Sequence, residues 1–146
     1  MPNVNEMLSE AIQFQTLNTE DALANGNYPA SGYFIHVGDM IQFGFKINAG
    51  ALTSAITAKV QQADAVDGTP SDVTNATVTI AATDDDKQKL IEVKVDNLTD
   101  DTKPYVSLNI SGAADSDDYA SIEFMGVPKF KPATQSSDLT VVTVAG

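Results

Sequence analysis

Few residues in this chain have the chemistry for catalysis or metal binding. The single histidine, His36, lies in "YFIHVGD" three residues before Asp39, a spacing at which a carboxylate can orient an imidazole for general-base work. A general base needs a nucleophile to activate, and no Ser stands in a G-x-S-x-G elbow. The plainer reading is a histidine on a sheet surface or at a subunit contact. Carboxylates are more plentiful: Asp64, Asp67 and Asp72 crowd "ADAVDGTPSD", Asp84 to Asp86 form "DDD", and "DSDD" runs from Asp115 to Asp118. A calcium loop of the EF-hand kind needs oxygen at alternate positions, yet the position two after Asp64 is Val66. Carboxylates adjacent in sequence turn to water rather than converge, and calcium wants six or more converging oxygens. The Asp residues around Gly68 and Pro70 therefore read as turn chemistry, and no metal site is expected. A carboxylate pair for glycoside hydrolysis would need an aromatic sugar platform, which is thin with Trp at zero and aromatics at 7%. No P-loop or dinucleotide glycine pattern occurs, so neither a catalytic residue nor a cofactor is assigned.

The elements that would position these residues follow from a two-residue apolar period. In "MIQFGFKINAG", Ile41, Phe43, Phe45 and Ile47 share one face while Gln42, Gly44, Lys46 and Asn48 share the other, which is the pattern of a half-buried strand. The same alternation places Leu52, Ile56, Ala58 and Val60 in phase, then Ala76, Val78, Ile80 and Ala82, then Ile91, Val93 and Val95. It continues through Val106, Leu108 and Ile110, and through Ala120, Ile122 and Phe124, and "DLTVVTVAG" offers a last strand with Leu139, Val141 and Val142. In "YFIHVGD" it sets Tyr33, Ile35 and Val37 against Phe34 and His36. Short polar clusters such as "TDDD", "LTDDTK" and "AADSDD" punctuate these runs as hairpin turns do. "EMLSEAIQFQTL" fits a helix through Leu8 and Ile12, but "AIQFQTL" reads better as a short strand. "TEDALANGNYPASG" reads as a long connection broken by Asn25-Gly26, Pro29 and Gly32.

The expectation is an all-β chain, a β-sandwich or jelly roll with an extended N-terminal segment and a proline-rich C-terminal segment. The reading is one domain over 1–146: a segment and connection at 1–32, the main β core at 33–127, and a proline-containing segment with the final strand at 128–146. Ile41, Phe43, Phe45, Val78, Ile80, Val93, Val95, Val106, Leu108, Ile110, Ile122 and Phe124 are expected to point inward.

Composition excludes whole classes of partner. The formal net charge is -12, from 20 Asp plus Glu against 8 Lys plus Arg. All eight bases are lysines, so this surface repels a polyanion and lacks the guanidinium fork that grips phosphate. Nucleic acid is not an expected partner. Without cysteine, cohesion comes from packing or from neighbours. "MPNVNEMLSEAIQFQTL" has no basic n-region or continuous apolar core, and no apolar run approaches membrane length, so neither a signal peptide nor a membrane partner is expected.

The order of segments carries a family likeness. "AIQF" leads to "GDMIQFGFKINAGAL", then "ITAKVQQADAVDGTPSDVTNATVTI", a strand ending "VDNLTDD", "KPYVSLNISGA" and "IEFMGVPKFKPA". From about Phe34 to Pro132 this series resembles small head-associated proteins of tailed bacteriophages, similar to capsid decoration or cement proteins. The resemblance implies a β-rich, non-enzymatic virion protein, made in the host cytoplasm and seated on the capsid surface. It further implies a homotrimer that clamps neighbouring copies of the major capsid protein. Strong acidity and a longer N-terminal segment depart from the simpler relatives. A neck or tail protein of the same virion, and a carbohydrate- or receptor-binding module, are the competing functions.

An acidic chain that grips an acidic lattice must use apolar and backbone contacts with locally concentrated positive charge. "PKFKP" places Lys129 and Lys131 on either side of Phe130, and its prolines restrict the arm; these three are the leading contact residues. The second choice is the N-terminal segment around Ile12 and Phe14.

Overall fold

The computed structural model of the chain describes residues 6–19, 22–113, 118–137 and 139–144. A single helical turn, α1 (Leu8–Ala11), precedes strands β1 (Gln13–Asn18), β2 (Gly26–Tyr28), β3 (Ile35–His36), β4 (Met40–Ala49), β5 (Ile56–Ala63), β6 (Ser71–Ile80), β7 (Gln88–Lys94), β8 (Tyr105–Ser111) and β9 (Ala120–Pro128). One sheet runs β1-β9-β4-β7; the other runs β2-β8-β5-β6, with β3 also on β8. All of these pairings are antiparallel.

The pairings nest. β5 pairs β6, β4 pairs β7, β2 and β3 pair β8, and β1 pairs β9. The chain is thus one long hairpin whose tip is the turn at 64–70. Winding that hairpin on itself sets β9 against β4 and β8 against β5. The result is the two-sheet jelly roll, an all-β sandwich as the alternation anticipates. Gly68 N–H donates to the Ala65 carbonyl at the tip, and the Val66 carbonyl accepts from Gly32, which ties the connection before β3 to the tip.

The inward faces meet around three rings. Phe45 lies opposite Phe124 across the β4–β9 ladder with centroids 5.4 Å apart, and Phe43 stacks on Phe124 at 6.0 Å. Gly126 opposes Phe43, and a Cβ there would crowd the Met40 sulfur and the Phe124 ring. Val60, Leu108 and Ile110 cover the rings from the second sheet, each almost fully buried. Truncating Phe45 or Phe124 to Ala at such a site costs about 3–5 kcal/mol.

Several expected features differ in the structure. Ile41 is 53% exposed, because the β4–β9 register shifts between Met40 and Gln42 and the extra residue leaves the inward phase. Val78 and Val95 are only partly buried. β6 carries an irregularity with Asn75 at φ 65°, which puts Val73 and Ala76 inside, and Val95 opens a 3-10 turn rather than extending β7. Phe34 is buried and Tyr33 exposed, since only Ile35 and His36 are paired there and the backbone before them is not a strand. The connection after β1 contains β2, whose Asn27 is held by side-chain bonds rather than apolar burial. The N-terminal stretch is both a helical turn and a strand. Leu139, Val141 and Val142 form no strand and stay exposed, because none of the described strands pairs with them.

One buried carboxylate closes the corner between β4 and β5. Asp118 is fully buried and accepts from the Thr53 amide at 2.6 Å, the Thr53 hydroxyl at 3.2 Å, the Ser54 amide at 3.3 Å and the Ser54 hydroxyl at 2.5 Å. Removing it takes the shared acceptor from two backbone amides and two hydroxyls that hold this corner, so Asp118→Ala should lower unfolding stability by about 2–4 kcal/mol. A urea titration checks this; an unchanged midpoint would contradict the role assigned to Asp118.

Candidate interaction surface

The two outer faces of the sandwich differ in chemistry. On the second sheet, the outward residues of β2, β5, β6 and β8 bond to one another. Asn27 Nδ2 donates to Gln61 Oε1 at 2.9 Å and to Ser107 Oγ at 2.8 Å, and Asn109 Nδ2 donates to Asn27 Oδ1 at 3.0 Å. Gln61 Nε2 reaches Asp72 Oδ1 at 2.7 Å, and Lys59 Nζ reaches Asp72 Oδ2 at 3.0 Å. This is a self-satisfied polar carpet.

On the first sheet, direct cross-strand pairs share a side, and the row Phe14, Met125, Gly44, Glu92 crosses the outer face. The neighbouring row holds Val127, Gln42 and Lys94. Between them lies a groove of about 460 Å³ lined by Ile12, Leu90, Met125 and Val127 on the apolar side and by Gln42, Glu92 and Lys94 on the polar side, with Gly44 in its floor. A Cβ on Gly44 would sit 3.3 Å from the Leu90 side chain and 3.2 Å from the Ile91 carbonyl, so the missing side chain keeps the groove open.

The chain's two end segments meet at one end of this face. Pairing β1 with β9 brings Gln13 opposite Gly126, and the arm after β9 turns back over α1. Gln135 is the clasp: its Oε1 accepts from the Phe14 amide at 3.0 Å, and its Nε2 donates to the carbonyls of Ser9 at 2.8 Å and Ile12 at 2.6 Å. Lys131 Nζ pairs with Glu6 at 2.9 Å, and the Ala133 amide bonds the Glu10 carbonyl. The Lys129 amide donates to the Asp39 carbonyl at 2.8 Å, next to the register shift that exposes Ile41. Leu8 and Phe130 are also exposed, Phe130 by 79%.

The five contact residues anticipated from sequence thus fall in one region, with different roles. Phe130 and Lys129 are exposed, and Lys131 is engaged by Glu6. Ile12 lines the groove, and Phe14 is half-buried opposite Met125. Sequence reasoning missed Ile41, Leu90, Met125 and Val127. A glycine in the middle of the otherwise regular β4 run was the available signal for a groove.

The residues first considered for chemistry are spread apart. His36 Nδ1 lies 3.7 Å from Asp39 Oδ1, both well exposed, and the imidazole edge rests on Tyr105 with centroids 5.1 Å apart. Among the described residues, no group of three His, Asp or Glu side chains converges as a metal site; Asp115 and Asp117 lie outside them. The remaining acidic clusters serve local backbone structure. The Ala81 amide, then Lys87 and Lys89, hold the Asp84 carboxyl below the usual range, while Asp85 accepts from the Leu52 amide. Gln61 and then Lys59 lower Asp72, and the Thr102 hydroxyl and amide lower Asp100.

No family model matches the chain, and no curated protein matches it. Among solved structures it is similar to the SPBc2 prophage-derived protein YomS, at 12% identity over 86% of this chain and 99% of that one, with a TM-score of 0.49. It is also similar to the Tobacco streak virus coat protein, at 8% identity over 96% and 100% of the two chains with a TM-score of 0.46. A family 11 carbohydrate-binding module from Clostridium thermocellum shares 9% identity over 88% of this chain and 94% of that one, with a TM-score of 0.35. These are likenesses of fold, and no activity or partner is taken from them.

Two outcomes follow. His36→Ala should change unfolding stability by no more than about 0.5 kcal/mol, as surface substitutions do; a larger loss would give the Asp39 and Tyr105 contacts a structural weight. Asp84, with its folded pKa depressed, contributes stability above the ordinary value of 3.8 that is lost as pH falls through the lower folded value. The difference in Tm between wild type and Asp84→Asn should therefore hold at neutral pH and shrink as the pH is lowered past 3.8.

Proposed function

We propose that this chain is a structural protein of a tailed-phage virion that binds the outer capsid surface and stabilises the head. In this reading it is made in the host cytoplasm, works on the capsid surface as a homotrimer, and has the major capsid protein as its partner. It performs no reaction and holds no cofactor. The observation that carries the reading is the contrast between the two outer faces. One is a polar carpet whose groups satisfy each other, and the other joins an open groove, where Ile12, Leu90, Met125 and Val127 stand beside Gln42, Glu92 and Lys94, to exposed Leu8, Ile41 and Phe130 at the meeting point of the two end segments. Exposed apolar residues gathered on one side of an acidic protein suit a contact that cannot rest on charge. The segment order that resembles decoration proteins supports the same reading.

A sugar-binding role finds less support. The one aromatic among the groove residues, Phe43, is buried in the core and offers no platform for a sugar ring. A neck or tail position would use the same apolar surface, and particle stoichiometry separates it from a position on the head.

Because Lys131 is paired with Glu6, the apolar residues should dominate attachment. Phe130→Ala and Ile41→Asp should each weaken occupancy on purified particles by more than about 1 kcal/mol, as loss of a buried anchor does. Both side chains are exposed in the isolated chain, so its melting should be unaffected. Lys129→Ala should act mainly through salt dependence. Full occupancy by both apolar variants would remove this end of the molecule from the contact.

A further inference from the structure

The segment Leu139 to Val144, "LTVVTV", is the most strand-like stretch left unpaired among the described residues. It has no charge and no proline, its residues favour β-structure, and Val142 and Val144 are 84% and 87% exposed. As a strand it would carry Leu139 and Val141 on one face and Val142 and Val144 on the other. Lying on a flat surface it would leave one of those faces in water. Both are covered only where a strand joins a sheet edge that has apolar material on each side.

The edges of this sandwich are not equivalent. β2 and β3 are three and two residues long. β6 adjoins the polar carpet and has Asp72 in the strand, and β7 carries Lys89, Glu92 and Lys94, charges of the kind that keep an edge from pairing. β1, "QFQTLN", is itself uncharged, lies at the edge of its sheet, and has the core on one side and the Phe14–Met125 pair on the other, with Glu123 opposite Thr16 as the one charge beside it. Gln135 occupies only the Phe14 amide of that edge. Its anchoring also fixes where the following segment departs, and the segment does not fold back onto β1 of its own chain. On a chain of net charge -12, an uncharged strand and an uncharged edge are the two parts of separate copies that meet with least repulsion.

The geometry points to self-association by strand donation, in which residues 139–144 of one copy add to the free edge of β1 in a second copy. This goes beyond the decoration reading and does not depend on it. Donation in both directions closes a dimer, and donation around a ring closes a larger cyclic assembly.

Proline tests both halves. In Val141→Pro the donor loses an N–H in a segment that contributes nothing to the core. Thr16 is two residues from Phe14, whose N–H faces away from β9, so Thr16→Pro blocks the receiving edge at a position where proline is tolerated. Sedimentation should find wild type at a multiple of 15.4 kDa, and each variant at least tenfold weaker in association. A 1:1 mixture should recover a pair, because Thr16→Pro keeps its donor and Val141→Pro keeps its edge. Association of wild type should strengthen with salt, since like charges are being screened. Thermal melts report whether Thr16→Pro stays folded; if it does not, Val141→Pro mixed with wild type should cap the assembly size. Monomeric wild type at all salt concentrations, or unchanged association in Val141→Pro, would overturn the inference. Particle occupancy is read separately, so a monomeric Val141→Pro that still binds particles fails neither reading.

Discussion

Winding a long antiparallel hairpin into two layers is the constraint on which the rest of this structure depends. Each of the longer strands from β4 to β9 shows an apolar face, and a flat hairpin would leave that face in water along its whole length. Folding the hairpin over itself lets the β4–β9 and β5–β8 pairings close two sheets whose apolar faces oppose each other. Phe43, Phe45 and Phe124 sit where that closure occurs, so the ladder that completes the first sheet also places the largest side chains of the core. The turn at 64–70, rich in Asp, Gly and Pro, reverses the chain at the tip.

The same winding decides where the surface chemistry lies. Because the outermost rung of the hairpin is β1 with β9, the segments before β1 and after β9 must emerge side by side. Gln135 and the Lys131–Glu6 pair make them one unit, although the bonded residues are separated by 121 to 126 positions in sequence. The unit borders the groove on the outer face of the first sheet, and the register shift adds exposed Ile41 at that end. The opposite face is occupied by hydrogen bonds among its own side chains. The two outer faces thus differ in chemistry: one carries exposed apolar residues at its end, and the other holds polar side chains that bond to one another.

Within the interior, polar groups act as fasteners. Asp118 holds the 53–54 corner, and Gln62, also buried, donates to the Asp100 carbonyl at 2.6 Å and accepts from the Asp100 amide. No buried side-chain nitrogen or oxygen among the described residues lacks a partner. Such bonds fix irregular connections, which have no ladder to fix them.

By itself the sequence determined the all-β class and most of the core. The two-residue period survives in β4, β5, β8 and β9 because a strand with one buried face leaves no freedom in phase. Phe43, Phe45, Ile80, Val93, Val106, Leu108, Ile110, Ile122 and Phe124 are inside as that period requires. It also named five residues of the end segments, Ile12, Phe14, Lys129, Phe130 and Lys131, but could not show that they adjoin. Tertiary structure alone decided that, since β1–β9 pairing is a long-range contact with no local signal. It decided too that Ile41 turns outward and that Asn27 belongs to a strand. One extra residue against β9 sets the first, and bonds to Gln61 and Ser107 help hold the second. In each case the partner that fixes the residue lies far along the chain, where periodicity within a short window cannot reach.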